Sequence, residues 1–175
     1  MGGPMKRFLA LGLAALMLSG CATVGRVDAG ADIHAFLVSI RDGDRATFEA
    51  HVDRPALKTQ LRARVISEVA SGSPNGVASI PGLGAFAAGP LVDLAVDAFL
   101  RPEVFRAVAE LRGYSVDRPI PGAFAIAQFV RPLGGGTSCV IARKDGPCIL
   151  VFRNEEGTWR LIGFEGDLAM LRPRR

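Results

Sequence analysis

Two histidines, two aspartates one helical turn apart and a group of aromatics are the residues of this chain with chemistry to weigh first. Asp93 and Asp97 stand in the otherwise apolar run Leu91 to Leu100. Facing a cavity, such a pair can divide into general acid and general base. Facing water, it is the solvated stripe of an amphipathic helix, the commoner outcome. His34 lies beside Ile33, Phe36 and Leu37, and His51 follows Phe48. Either imidazole becomes a base only if the fold delivers a carboxylate to it. Phe124, Phe129 and Trp159, with Phe152 and Phe164, would line an apolar pocket opposite Leu91 to Leu100, or simply fill the core. Asp42 and Asp44 flank Gly43 and read as turn and cap residues. No His/Cys spacing suits zinc, and no serine occupies a nucleophile elbow. Gly134-Gly135-Gly136 lacks the Lys-Ser/Thr of a phosphate loop and reads as a hairpin turn. No metal and no cofactor are expected.

The elements that would position these residues change character along the chain. Asp32 can cap a helix whose Ile33, Phe36, Leu37 and Ile40 fall on one face; Gly43 ends it, and Asp44 caps a second, short helix to about His51. Pro55 suits the first residue of a third helix, with Leu57, Leu61, Ile66 and Val69 inward and Lys58, Arg62, Arg64 and Glu68 toward water. Ser71 to Pro90, rich in glycine and proline, reads as a loop. Pro102 and Glu103 open a helix that runs to Leu111 and closes at Gly113. From Ala123 the period shortens to two. Strands are predicted over Phe124–Val130, Ser138–Ala142, Cys148–Phe152 and Thr158–Phe164, separated by glycine turns. Helices first and strands second predict an α+β domain, with N-terminal helices packed on a curved antiparallel sheet of about four strands. Val-Asp-Arg-Pro occurs at Val52–Pro55 and Val116–Pro119 without a wider repeat, which predicts shared turn chemistry.

The N-terminus is laid out differently. Lys6 and Arg7 precede an apolar core from Phe8 to Leu18, too short to span a bilayer and shaped as a secretory signal. A chain starting at Met5 would carry the tighter signal. The segment ends in Leu18-Ser19-Gly20-Cys21, which resembles the lipobox of bacterial lipoproteins. The resemblance implies cleavage before Cys21 and acylation of that cysteine, hence a lipid bilayer as partner. Ala22, where an inner-membrane lipoprotein carries aspartate, resembles the outer-membrane sorting pattern and implies a domain facing the periplasm.

Removing residues 1–20 from the 175 leaves 155, enough for one domain with its own core. The signal holds two of the 21 basic residues and none of the 17 acidic ones, so the formal charge falls from +4 to +2. Nucleic acid is not an expected partner. The expected organisation is a signal peptide at 1–20, a lipidated tether at 21–31, a single α+β domain at 32–168 and a basic tail at 169–175. With Cys21 assigned to the anchor, Cys139 and Cys148 remain as a pair in an oxidising compartment. A disulfide between them would contribute about 2–4 kcal/mol. A tight turn at Lys144 and Asp145 would set Cys139 opposite Leu150, so the bridge needs a bulge or a wider loop. Two buried free thiols are the alternative.

Three blocks carry a second resemblance. They are Ile40-Arg41-Asp42-Gly43-Asp44 with Val52 to Leu61, the looser Gly89-Pro90-Leu91-Val92-Asp93 with Arg101-Pro102-Glu103, and the terminal Trp159-Arg160-Leu161-Ile162. Together, over most of residues 33 to 164, they resemble the bacterial family called domain of unknown function 2939, which has no assigned catalytic residues to carry over. The Gly-Asp break between helices and the final Gly-x-Trp-x-Leu are also similar to the cone-shaped nuclear-transport-factor-2-like fold, whose members include enzymes, binders and scaffolds. The expectation is a membrane-anchored, non-catalytic domain contacting an envelope protein or a hydrophobic ligand. The alternative is an enzyme of the cone-shaped fold using Asp93 or Asp97 with a histidine on a small hydrophobic substrate.

Overall fold

The computed structural model describes residues 25–70, 94, 97–111, 113–143 and 145–165. The signal at 1–20, Cys21, the stretch at 71–90, Asp93 and the tail at 169–175 lie outside the described residues, as do the side chains of Ile66 and Val69.

Helix α1 spans residues 25–42. Its buried stripe is Ala29, Ile33, Phe36 and Ile40, the spacing of one helical face. The helix begins earlier than the sequence suggested. Residues 25–31 are helical rather than tether, and Asp32 sits mid-helix rather than at an N-cap. Glycine hid these turns, because a helix-interior glycine costs about 1 kcal/mol relative to alanine. At Gly30 the reason is contact: a Cβ there would come within 2.4 Å of the Ala123 carbonyl oxygen.

Gly43, at φ +70°, ends α1, and Asp44 caps α2 (Arg45–Ala50) by accepting the Thr47 N–H. Asp53 caps α3 (Arg54–Ala70) by accepting the Ala56 N–H at 3.0 Å, which places Pro55 in the first turn. A helical turn at 97–99 leads to α4 (Pro102–Leu111), and Gly113, at φ +82°, follows it. The segment expected to be the first strand is instead helical, as α5 (Ala123–Ala127). Alternate alanines mimicked a strand's period, but alanine is the best helix former, and Gly122 starts the turn by accepting the Ile126 N–H at 3.1 Å.

The strand that replaces it, β1 (Val130–Gly134), holds Pro132 on the sheet edge, where the missing N–H is tolerated. It is followed by β2 (Thr137–Ile141), β3 (Cys148–Glu155) and β4 (Thr158–Phe164), antiparallel and adjacent in that order. The fold is thus α+β, helices followed by an open four-stranded sheet. Each ladder carries a register shift, and such bulges bend and twist strands. One sheet face contributes Val130, Phe152, Trp159 and Leu161 to the core. Phe36 joins the layers, with ring centroids 5.6 Å from Phe48 on α2 and 5.8 Å from Phe152 on β3.

The helices also close the β4 edge. His51 and Asp53 flank Val52, which forms a parallel bridge with Leu161. The Leu161 N–H reaches the His51 carbonyl at 2.8 Å, and the Asp53 N–H reaches the Leu161 carbonyl at 3.0 Å. On one side of this bridge, Asp32 of α1 accepts the Trp159 N–H at 2.7 Å. On the other, the Gln60 amide of α3 accepts the Phe164 N–H at 2.8 Å and donates to its carbonyl at 2.9 Å. Arg64 donates to the same carbonyl at 2.5 Å. Gly163 leaves room for this, since a Cβ there would lie 3.1 Å from the Gln60 amide.

The Gly30 contact yields a test with an inverted sign. In a free helix Gly→Ala stabilises, whereas Gly30→Ala is expected to cost about 1–3 kcal/mol by overpacking against Ala123. Chemical denaturation measures it; a stabilised variant would contradict the close crossing of α1 and α5.

Candidate functional site

The aspartate that survives into the described residues, Asp97, has been claimed by α3. Lys58 Nζ donates to it at 2.7 Å and Arg54 Nη1 at 3.3 Å. Arg54 also chelates Glu49, with Nε to Oε2 at 2.5 Å and Nη2 to Oε1, and donates to the Leu100 carbonyl at 2.8 Å. The second Arg of the sequence-level Val-Asp-Arg-Pro pair, Arg118, donates its N–H to the Ser115 carbonyl in an exposed turn. Only the first copy is therefore built into the core. Lys58 and then Arg54 hold the Asp97 carboxyl below its ordinary range, and the Arg54 hydrogen bond does the same for Glu49. A carboxylate so held stays ionised and is a poor proton donor.

The histidines sit apart. His34 Nδ1 meets the Pro121 carbonyl at 2.9 Å. His51 is buried, with Nδ1 2.8 Å from the Thr47 carbonyl. A carbonyl only accepts, so Nδ1 carries the hydrogen and Nε2 faces Asp32 Oδ1 at 3.7 Å. The carboxylate that reaches a histidine is thus Asp32, which the sequence marked as a cap, and its other oxygen is engaged by β4. Continuing the Ile33–Phe36–Ile40 stripe back to Ala29 would have put Asp32 on the same buried side.

Five residues were expected to share a pocket, and four of them are among the described residues. Asp93 lies outside the described residues, Asp97 is paired with α3, Phe124 and Phe129 are exposed, and Trp159 is buried in the core. The Trp159 indole N–H has no hydrogen-bond partner among the described residues. Trp159 does line a shallow recess of about 190 Å³, together with Gly25, Pro132, Gly134, Gly136, Thr137 and Ser138. It lies between the start of α1 and the β1–β2 turn.

Cys139 and Cys148 stand on neighbouring strands with Cα atoms 5.5 Å apart and sulfurs at bonding distance. The bulge required for this is present: Cys139 pairs with Val151, and the register shifts between Val140 and Ile141, so that Ile141 pairs with Cys148. Arg131 on β1 directs Nη2 toward both sulfurs, at 3.7 and 3.5 Å. Among the described residues, no group of three or more His, Cys, Asp or Glu side chains could hold a metal ion.

These features define a small α+β protein in which Asp97, His34 and His51 are bound to other parts of its own framework. The model of the family described as "Protein of unknown function (DUF2939)" matches residues 14–108, more than half of the chain, and the chain belongs to that family. The matched span covers α1 to α3 and most of α4 and ends before the sheet, so Trp159-Arg160-Leu161-Ile162 lies beyond it. Comparison with curated proteins and with solved structures finds no match.

The charge network sets an acid limit. Carboxyls whose folded pKa is depressed contribute stability above their unfolded pKa, near 4, and lose it as pH falls through the folded value. Tm is therefore expected to drop below about pH 4 and to drop less steeply in Asp97→Asn. Arg54→Met leaves Glu49 and the Leu100 carbonyl without their donor and is expected to cost about 1–3 kcal/mol at neutral pH. An Arg54→Met protein as stable as the parent would contradict this role.

Proposed function

We propose that the chain is an envelope lipoprotein, held at a membrane by acyl chains on Cys21. It would face the periplasm from the outer membrane and act through contacts with an envelope protein or a hydrophobic ligand. The observation that carries this is Leu18-Ser19-Gly20-Cys21 behind a basic start and an apolar core. Cys21 stands four residues before Gly25, in the first turn of α1. No helix among the described residues is long and apolar enough to cross a membrane. An acyl anchor supplies attachment without one.

A contact role rather than catalysis is supported by how the polar groups are used. Asp97 is held by Lys58 and Arg54, His34 and His51 bond to backbone carbonyls, and Asp32 accepts the Trp159 N–H on one oxygen with the other toward buried His51. An enzymatic role for Asp97 would need it to leave two cations. A nuclear-transport-factor-2-like cone would here be a filled one, since Phe36, Phe48, Phe152 and Trp159 occupy the space between helices and sheet. An oxidised Cys139–Cys148 bridge fits the same compartment.

Intact-mass analysis of protein purified from native membranes tests the anchor. The wild type is expected to begin at Cys21 and carry acyl mass, and Cys21→Ser to lose both the lipid and membrane association. A wild-type chain without acyl mass would overturn the proposal. In the same preparation, alkylation under denaturing conditions is expected to modify Cys139 and Cys148 only after reduction. Labelling of both beforehand would contradict the bridge.

A further inference from the structure

Arg131 and Cys139 stand opposite each other in register across β1 and β2. Opposed residues share a sheet face, and Val130 and Val140, one position away, turn to the core on the other. The Cys139–Cys148 pair thus lies on the sheet face turned away from the core, beside an exposed arginine. Arg131 Nη2 is 3.7 Å from Cys139 Sγ and 3.5 Å from Cys148 Sγ. Among the described residues these sulfurs are the partners of the guanidinium, and no carboxylate competes for it. β2 and the segment Cys148–Phe152 of β3 carry no charge, and the connecting turn adds Arg143, Lys144 and Asp145, so the local field is positive.

A bridged sulfur is neutral and a weak acceptor, and gives a cation little in return. A thiolate carries a full negative charge, and a cation beside a cysteine favours that form. Arg131 therefore stabilises the reduced pair more than the bridge. We propose that Cys139 and Cys148 form an exchangeable redox couple, which a dithiol reductant opens and whose balance Arg131 sets. It rests on the bridge proposed above. Cys148 is the sulfur within reach, since its residue is 8% exposed against 0% for Cys139 and follows exposed Pro147. A thiolate of the reductant attacks Cys148 Sγ, the S–S bond breaks, and its electron pair leaves on Cys139 Sγ beside the guanidinium. The second thiolate of the reductant then attacks the reductant's own sulfur in the mixed disulfide and releases Cys148 as thiolate. Two electrons pass to the pair, the reductant ends as a disulfide, and its two protons go to solvent or to the new thiols.

The test equilibrates full-length protein from native membranes with mixtures of reduced and oxidised dithiothreitol, then traps thiols by alkylation and counts them by mass. The wild-type bridge is expected to open reversibly. Arg131→Gln is expected to shift the equilibrium toward the disulfide by about tenfold at about pH 9, or about 30 mV for this two-electron couple. At about pH 6, where both proteins hold thiols rather than thiolates, the shift is expected to shrink below about twofold. A purely structural role would displace the equilibrium equally at both pH values. Arg131→Lys keeps the charge and is expected to stay within about threefold of wild type. Arg143→Gln, which removes an exposed cation of the turn, is expected to do the same. No shift in Arg131→Gln at the higher pH would overturn the role of Arg131, as would an equal shift in Arg131→Lys or Arg143→Gln. A bridge that no mixture opens would overturn the couple and leave the bridge standing. Wild-type protein with free thiols in every mixture would overturn the bridge and the couple together.

Discussion

The backbone of β4 has to find partners on its outer side, and most of what precedes it in the chain is arranged to provide them. An open sheet edge exposes donors and acceptors that invite pairing with another chain. Here Asp32, the His51–Asp53 segment, Gln60 and Arg64 meet the outward groups of Trp159, Leu161 and Phe164. These partners come from α1, the α2–α3 joint and α3 in turn. Three helices are thereby keyed to one strand at fixed positions. Hydrophobic burial alone is non-directional and would not set that register.

Other features follow from that constraint. Val52 reaches Leu161 only because α2 is short, with Asp44 capping its start and Asp53 capping the helix beyond. Gly163 is required where the Gln60 amide lies against the strand. The aromatic cluster then fills the volume this keying leaves, with Phe36 between Phe48 and Phe152. The opposite edge is managed differently, by a short β1 with a proline. One edge is bound to the helices and the other is open, which gives the domain two distinct sides.

Helix order, the Gly43–Asp44 break, Pro102 at the head of α4 and three of the four strands were legible because each is written locally, in caps, breakers and periodicity. The misreadings share a cause. Gly30 and the alanines around Phe124 carry weak or misleading local signals, because their identities are set by one crossing between segments about ninety positions apart. Asp32 reads as a cap from its neighbours alone. Its partners, Trp159 and His51, come from elements the local pattern does not connect to it. The cysteine pair was legible in kind, and the bulge that aligns it is a property of the ladder. The residues that hold Asp97 belong to α3, so its acid–base character could not be judged from the apolar run in which it stands.

Residue-resolved hydrogen exchange of the β4 amides measures this constraint most directly. If α1 to α3 seal the edge, the Trp159, Leu161 and Phe164 N–H groups exchange as slowly as the amides of the interior strand β3, and Gln60→Leu accelerates Phe164 more than Trp159. Exchange of these three amides at the rate of the open β1 edge would contradict the sealing of β4 and, with it, the keying of the helices to the sheet.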